Sequence, residues 1–193
     1  MKDTQQEIMK TALLLFPNNG IKKTSIDLIS KKCGISKKTF YQYFIDKEDI
    51  VKKITTIELT KVEKYIENLA SEYNNPPDEL LIFFNFIQNN ISVFTSVFIN
   101  DIIEYYPKVY QIVIKSKKDK FTPFLLLNIV RGIQDGFYWE TLKPKLLVDL
   151  YMLQIDTIIE NTRKEFSDKR EILNCTNMLF LHGIIDTSRK EKL

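Results

Sequence analysis

Glycine and proline are sparse, five and six in 193 residues, below the ordinary usage of about 7% and 5%. So little punctuation suits long helices and excludes collagen-like or low-complexity sequence. The two cysteines, Cys33 and Cys175, stand far apart with no CxxC, which excludes a disulfide framework and a structural zinc site. One histidine, His182, cannot make a His-based metal site or a two-histidine relay. Glycine-rich phosphate loops and the GxSxG elbow are missing too. Carboxylate pairs such as Asp101 with Glu104 have a spacing common on any solvated helix. The chain is expected not to be an enzyme and to carry no cofactor or metal. No apolar run exceeds five residues, as in Leu80 to Phe84, far short of the ~18 of a membrane span. The polar start, Met1-Lys2-Asp3-Thr4-Gln5-Gln6, leads into no cleavable apolar segment. A cytoplasmic location without a membrane partner is the expectation.

What is present is ordinary for a folded protein: 44% hydrophobic and 27% charged residues, and length enough for one or two domains with a sizeable core. The charge is divided unevenly. Residues 1–53 hold eleven lysines, no arginine and six acidic residues, a balance of +5, while the remainder holds 17 basic and 19 acidic groups, or −2. A basic head on a slightly acidic body points to a polyanionic partner for the head alone.

Apolar spacing is helical, and no strand-like alternation persists. Ile8, Ala12, Leu15 and Phe16 recur at three- and four-residue steps and predict a helix over 1–16, stopped by Pro17-Asn18-Asn19-Gly20. Thr24 or Ser25 can cap a short helix over 26–33, with Ile26, Ile29 and Cys33 on one face. Gly34 then turns the chain, Ile35 points inward, and Ser36 caps a third helix over 37–44. Two short helices joined by a glycine turn make a helix-turn-helix. A long fourth helix is expected over 46–73, broken by Asn74-Asn75-Pro76-Pro77, with Asp78 as the next cap. Leu80, Leu81, Phe83, Phe84, Phe86 and Ile87 make the helix that follows apolar nearly all round, hence buried. Further helices are predicted over 94–106, 107–114, 121–139, 144–162 and 168–187, with polar stretches at 115–120, 161–170 and from Ser188. The fold class is all-α, with about nine helices.

On a wheel of the third helix, Phe40, Tyr43 and Phe44 fall on one side and Lys38, Tyr41 and Gln42 on the other, flanked by Lys37 and Thr39. An element with an apolar back and a front of donors fits the major groove of DNA. Ser36 leaves the helix N-terminus facing outward, where unpaired N–H groups favour a phosphate. Lys37 and Lys38 can donate to guanine O6 and N7 or to a phosphate. Gln42 can pair with adenine, and the Thr39 methyl can touch a thymine methyl. Tyr41, Tyr43, Thr24 and Ser25 carry hydroxyls for the sugar–phosphate backbone, and Lys47 can clamp a further phosphate. Phosphate contacts would fix register, and the first-turn lysines would carry most of the specificity. The rival reading, solubilising charges on a small helical lobe, loses weight to the cap, the glycine turn and the aromatic backing. Tyr43 is also placed to sink partly beside Phe40.

Ala12-x-x-Leu15-Phe16-x-x-x-Gly20, Thr24-Ser25, Ile29, the run Cys33-Gly34-Ile35-Ser36-Lys37-Lys38-Thr39-Phe40-Tyr41-Gln42-Tyr43-Phe44 and Lys47-Glu48 together resemble the TetR family of bacterial transcriptional regulators. The resemblance implies a DNA-binding domain over 1–47, joined by the long fourth helix to a helical effector-binding and dimerisation domain over 48–193. It implies a homodimeric repressor that binds a palindromic operator in double-stranded DNA and is released by a small-molecule effector. It places Thr24, Ser25, Thr39, Tyr41, Tyr43 and Lys47 at phosphates, and Ser36, Lys37 and Lys38 at bases. Lys38 stands where many members have glycine, Ser30 and Cys33 where alanine is usual, and Tyr43 where histidine is common. Cys33 reads as a small packing residue rather than a redox sensor.

A single recognition helix makes few contacts, so a dimer reading two half-sites about one DNA turn or a multiple apart is the physical expectation. By analogy with the family, its interface is expected on the last two long helices. Leu146, Leu150, Leu153 and Ile158 would serve on one, and Ile172, Met178, Leu179 and Ile185 on the other, with Gly183 admitting a partner helix. Gly132-x-x-x-Gly136 is expected to put both glycines on one helix face, open to a neighbouring helix. Phe94, Tyr105, Tyr110, Arg131, Gln134, Phe137, Tyr138, Trp139 and Tyr151 are candidates to line an effector pocket, with core filling the alternative for the aromatics. Arg131 facing inward would suit an anionic ligand; paired with Asp135 it would carry no message. Two rival functions stand beside the repressor. One is a DNA-binding regulator or activator with no small-molecule ligand, the other a protein-interaction module whose basic head docks an acidic partner.

Overall fold

The computed structural model describes residues 4–72, 75–90, 93–160 and 169–188. Among them stand ten α-helices: α1 (Thr4–Asn19), α2 (Ile26–Cys33), α3 (Lys37–Tyr41), α4 (Lys47–Glu72), α5 (Pro76–Asn90), α6 (Ser96–Tyr105), α7 (Pro107–Ser116), α8 (Thr122–Gln134), α9 (Pro144–Glu160) and α10 (Lys169–Ile184). A π-helical turn, Lys117–Phe121, joins α7 to α8. The one β pairing among the described residues is an antiparallel bridge between Tyr138 and Ile185. The all-α expectation holds. The expected helix start at Met1, the end of the fourth helix at Tyr73, the break at Asn74 and most of the polar stretches at 161–170 and beyond Ser188 lie outside the described residues.

By packing, the chain divides into two units, Met1–Thr60 with Ser92–Lys115, and Lys61–Ile91 with Ser116–Leu193. The unit that holds the head is larger than the 1–47 read from the sequence, because it also takes in the start of α4, α6 and most of α7. Its core is built from Ile8, Ala12 and Phe16 of α1, Ile29 of α2, Phe40 and Phe44, Ile50, Val51 and Ile54 of α4, and Phe98, Ile99 and Ile102 of α6, all buried. Burying each such side chain contributes about 1.5–3 kcal/mol.

Local chemistry sets the helix ends. α1 does not stop at Phe16 but runs through Pro17 to Asn19, since a proline in the last turn forfeits a single bond. Gly20 ends it at φ +84°, its N–H donating to the Phe16 carbonyl at 2.9 Å. α2 is capped by Ser25, whose Oγ accepts from Leu28 N at 3.1 Å, and closed by Gly34 at φ +69°. α3 is capped by Ser36 and is three residues shorter than expected. After Tyr41 the amides of Gln42 and Tyr43 bond back three residues rather than four, to Thr39 and Phe40.

The second unit packs Val62, Ile66 and Leu69 of α4, Leu80, Phe83, Phe84 and Ile87 of α5, Phe124, Leu125 and Ile129 of α8, Val148 and Tyr151 of α9, and Leu181 and Ile184 of α10. α5 starts at Pro76, two residues ahead of the expected cap. Asn75 caps it, its Oδ1 accepting from Asp78 N at 3.3 Å, and proline at the first helical position loses nothing because that N–H has no intrahelical partner. The polar stretch 115–120 is helical, held by Ser116 Oγ to Glu63 (2.6 Å), Lys120 to Glu67 (2.8 Å) and Lys117 to Asp156.

The expected pair of glycines on one helix face is not formed. Helix α8 ends at Gln134, and Gly136 lies beyond it in a left-handed turn at φ +75°. Gly132 admits no neighbouring helix either. A Cβ there would stand 2.0 Å from Cδ2 of Tyr138, whose ring occupies the space.

Candidate nucleic-acid interface

Helix α3 is a short two-faced element. Phe40 and Phe44 are buried behind it, with ring centroids 5.3 Å apart, and Tyr41 stands edge-on to Phe40 at 5.6 Å. Ser36, Lys37, Lys38, Tyr41 and Gln42 are exposed, Tyr41 by 54%, while Thr39 and Tyr43 are half-buried. Ser36 Oγ accepts from Thr39 N at 3.0 Å and lies 2.9 Å from Thr39 Oγ1. Lys37 reaches Asp27 of α2 at 3.1 Å, both groups well exposed. Such a pair is worth at most about 1 kcal/mol, so the ammonium is readily surrendered to a stronger anion. Ser25 is exposed; its Oγ accepts from Leu28 N, which leaves its proton free to be donated outward. Ile45, just past α3, is 83% exposed, an apolar side chain beside the donors that helical periodicity gave no reason to single out.

Two of the residues expected at DNA turn inward instead. Thr24 is fully buried, and its hydroxyl donates to the Gly20 carbonyl at 2.7 Å. Lys47, half-buried at the start of α4, donates to the carbonyls of Ile21 (2.8 Å), Lys22 (3.3 Å) and Thr24 (3.2 Å). An ammonium has three donors, and here all three are used. Burial holds the Lys47 pKa below its ordinary value, against the opposing pull of Asp101. Both side chains therefore shape the loop that enters α2.

That same loop meets α6. The N–H of Lys22 donates to Asp101 Oδ2 at 2.9 Å, and Lys22 Nζ donates to the Tyr105 hydroxyl at 2.5 Å with the Tyr105 ring 4.3 Å beneath it. The bond to Tyr105 raises the Lys22 pKa. Thr95, the N-cap of α6, donates to the Pro17 carbonyl at 3.1 Å. Asp101 had drawn no notice in the sequence beyond a commonplace pairing with Glu104.

The nine candidate pocket residues are divided between the two units. Phe94, Tyr105 and Tyr110 belong to the first unit; the other six belong to the second. Phe94 lies edge-on to Phe98, Gln134 and Trp139 are exposed, and Phe137 packs against the core of the second unit. Tyr138 and Tyr151 are core side chains whose hydroxyls donate to Asn128 Oδ1 (3.0 Å) and Asn177 Oδ1 (2.8 Å). Burial raises both phenol pKa values well above the ordinary range. Arg131 pairs with the buried carboxylate of Glu79, which also accepts from Asn128 Nδ2 at 2.6 Å. Burial pushes the Glu79 carboxyl up, and Asn128 and Arg131 oppose it.

Five of the nine dimer candidates, Leu150, Leu153, Ile158, Ile172 and Leu179, line one open apolar groove of about 610 Å³ between α9 and α10. Leu153 is 64% and Leu179 70% exposed, and Leu146 is exposed as well. Gly183 faces open space, Met178 is half-buried, and Ile185 packs against the core of the second unit.

A capped pair of short helices across a left-handed glycine, on a three-helix core with an exposed basic face, defines a helix-turn-helix DNA-binding head. Residues 8–54 match the model of the bacterial regulatory proteins of the tetR family, and through this head the chain resembles that family. It is 36% identical over 76 residues to the HTH-type transcriptional regulator YuxN of Bacillus subtilis, a match covering 39% of this chain and 26% of that protein. A match to the regulator YerO of the same organism, 33% identical over 85 residues, covers 42% of this chain and 28% of YerO. The chain thus spans little more than a quarter of these relatives. The fold extends much further. A TetR-family regulator from Agrobacterium tumefaciens superposes with a TM-score of 0.78 at 17% identity, covering 96% of this chain and 99% of that one. The regulator FadR from Bacillus subtilis, solved in complex with stearoyl-CoA, gives 0.65 at 19% identity, covering 93% and 98%. No helix among the described residues is long and apolar enough to cross a membrane.

Proposed function

We propose that this regulator is a homodimeric repressor that reads a palindromic operator through α3 and leaves it when a small molecule binds. The observation that carries the DNA-reading part is the division of α3, with Phe40 and Phe44 buried and Ser36, Lys37, Lys38, Tyr41 and Gln42 exposed. In this reading Lys37 and Lys38 donate to base edges, Gln42 and the Thr39 methyl add base contacts, and Ser36 stands beside them. Ser25, Tyr41 and Tyr43 donate to the backbone. Thr24 and Lys47 act from inside, holding the α1–α2 loop. Dimerisation is supported by the α9–α10 groove, where exposed leucines await an apolar partner. The effector rests on the family and on the stearoyl-CoA held by a neighbour of the same fold.

The test is selection of bound duplexes from a random pool with the full chain at moderate salt. One recovered palindrome is the expected result, its half-site spacing reporting the distance between heads. A Lys37→Ala, Lys38→Ala double variant should fold normally yet lose preference for that palindrome by about 10–100-fold, at roughly 1–3 kcal/mol per base contact. If the double variant keeps its preference, α3 is not the reader.

A further inference from the structure

The loop between α1 and α2, residues 20–25, has almost no regular structure of its own, and groups of opposite charge from distant elements hold its shape. Lys47 gathers three of its carbonyls, those of Ile21, Lys22 and Thr24. Asp101, 79 residues away from Lys22 in the sequence, accepts its N–H at 2.9 Å. A cation therefore reads the acceptors of the loop and a carboxylate reads a donor. The approach is close: a Cβ on Gly20 would lie 2.9 Å from Asp101 Oδ2 and 3.2 Å from Val97 Cγ1. Tyr105, one turn further along α6, holds the side chain of Lys22, and Thr95 at the head of α6 holds the Pro17 carbonyl. The loop ends at Ser25, the N-cap of α2, so its path sets where α2 begins and how the turn at Gly34 delivers α3.

We infer that Asp101 is a positioning residue for DNA binding, which fixes the α1–α2 loop through the Lys22 amide and so holds α2 and α3 in their DNA-reading attitude. The inference rests on the reading of this head as the DNA-binding surface. Asp101 lies on the polar side of α6, whose docking is supplied by buried Phe98, Ile99 and Ile102. Replacing it removes the clasp and leaves that apolar face intact. The sign of the effect separates positioning from simple electrostatics. Asp101 is negative and DNA is a polyanion, so deleting the charge strengthens binding by any Coulombic route. Weaker binding is expected only if the carboxylate shapes the reader.

The test measures affinity for the selected duplex across a range of salt for the full-length wild type, Asp101→Ala, Asp101→Asn and Tyr105→Phe, with helical circular dichroism and thermal midpoint alongside. Asp101→Ala should bind about tenfold more weakly, the scale of one charge-assisted hydrogen bond. Its salt slope should stay unchanged, because no phosphate contact is lost. Asp101→Asn keeps an acceptor oxygen without the charge and should fall between the two. Tyr105→Phe should weaken binding by a few fold. A wild-type slope with weakened affinity is something a merely destabilised protein, once folded, would not give. Alanine binding as well as wild type, or better, overturns the inference while the DNA-binding reading stands. Should the wild type recover no duplex at all, the DNA-binding reading falls and takes this inference with it. If the alanine chain does not fold, the asparagine and phenylalanine variants decide: wild-type affinity in both overturns the inference, and graded weakening supports it.

Discussion

Lys37, Thr24 and Lys47 all carry donors in the head, yet only the first of them faces outward. The sequence shows that a side chain can donate; it does not show which acceptors lie within reach. Thr24 and Lys47 find theirs in carbonyls that converge only once the loop at 20–24 has folded, and a pattern of residue types cannot announce that convergence. Lys37, by contrast, sits in the first turn of a capped helix whose apolar side is legible, so its outward direction follows from the wheel. Lys47→Met should accordingly lower stability by about 1–2 kcal/mol, the scale of lost hydrogen bonds, and weaken operator binding without changing its salt dependence. A lysine on a phosphate would instead take about 0.9 off the log–log salt slope, so a salt titration of the variant separates the two roles. Asp27 competes for Lys37 at 3.1 Å. Asp27→Asn should raise operator affinity by a few fold at low salt, the gain shrinking as salt screens it; no change at any salt would mean that Lys37 does not meet DNA.

Helix existence was readable almost everywhere, and helix ends were not. Pro17 was expected to stop α1 and does not, Asp78 was expected to cap α5 and Asn75 does, and the charged run at 115–120 continues a helix. Each miss turns on a local detail: the one bond that Pro17 forfeits in the last turn of α1, the Asn75 side chain on Asp78 N, or the ion pairs from Lys117 and Lys120 to Asp156 and Glu67. Gly132 is the sharpest case, because its role depends on Tyr138 folding back beyond the helix end. Gly132→Ala would drive a methyl to 2.0 Å from that ring and should cost about 3 kcal/mol, the upper end of overpacking penalties, read as a lowered denaturation midpoint. Glu79, on α5, supplies a pH test of the same unit. Burial raises its carboxyl above the ordinary 4.5, so the folded chain holds this proton more tightly than the unfolded one. That contribution to stability is full below the unfolded value and fades as pH rises through the folded one. Measured against Glu79→Gln, the wild type should lose stability from pH 4.5 upward; a difference that stays flat with pH would show that the carboxyl titrates alike in both states.

At the scale of the whole molecule, the sequence was most legible where a function repeats its chemistry across many chains, and least where packing alone decides. The head announced itself in about forty positions; the aromatics of the second unit did not distinguish a lined pocket from a filled core, because both ask for the same side chains. The dimer candidates fall between, since Leu150, Leu153 and Leu179 share a groove that periodicity located but could not leave uncovered. Leu153→Glu or Leu179→Glu should turn a dimer into a monomer in sedimentation velocity, with little change in helix content, by placing a charge in an apolar contact. Dimers persisting in both would move the interface elsewhere.

The first packing unit closes over its head with a segment that comes from the middle of the chain, residues 92–115. That arrangement bears on exchange between regulators. A reader cut at residue 47 and grafted onto another body would arrive without Asp101 beneath Gly20 and without Phe98, Ile99 and Ile102. The transplantable part is two stretches of sequence, and a chimera that carries only the first would have to find a substitute for α6 in its host.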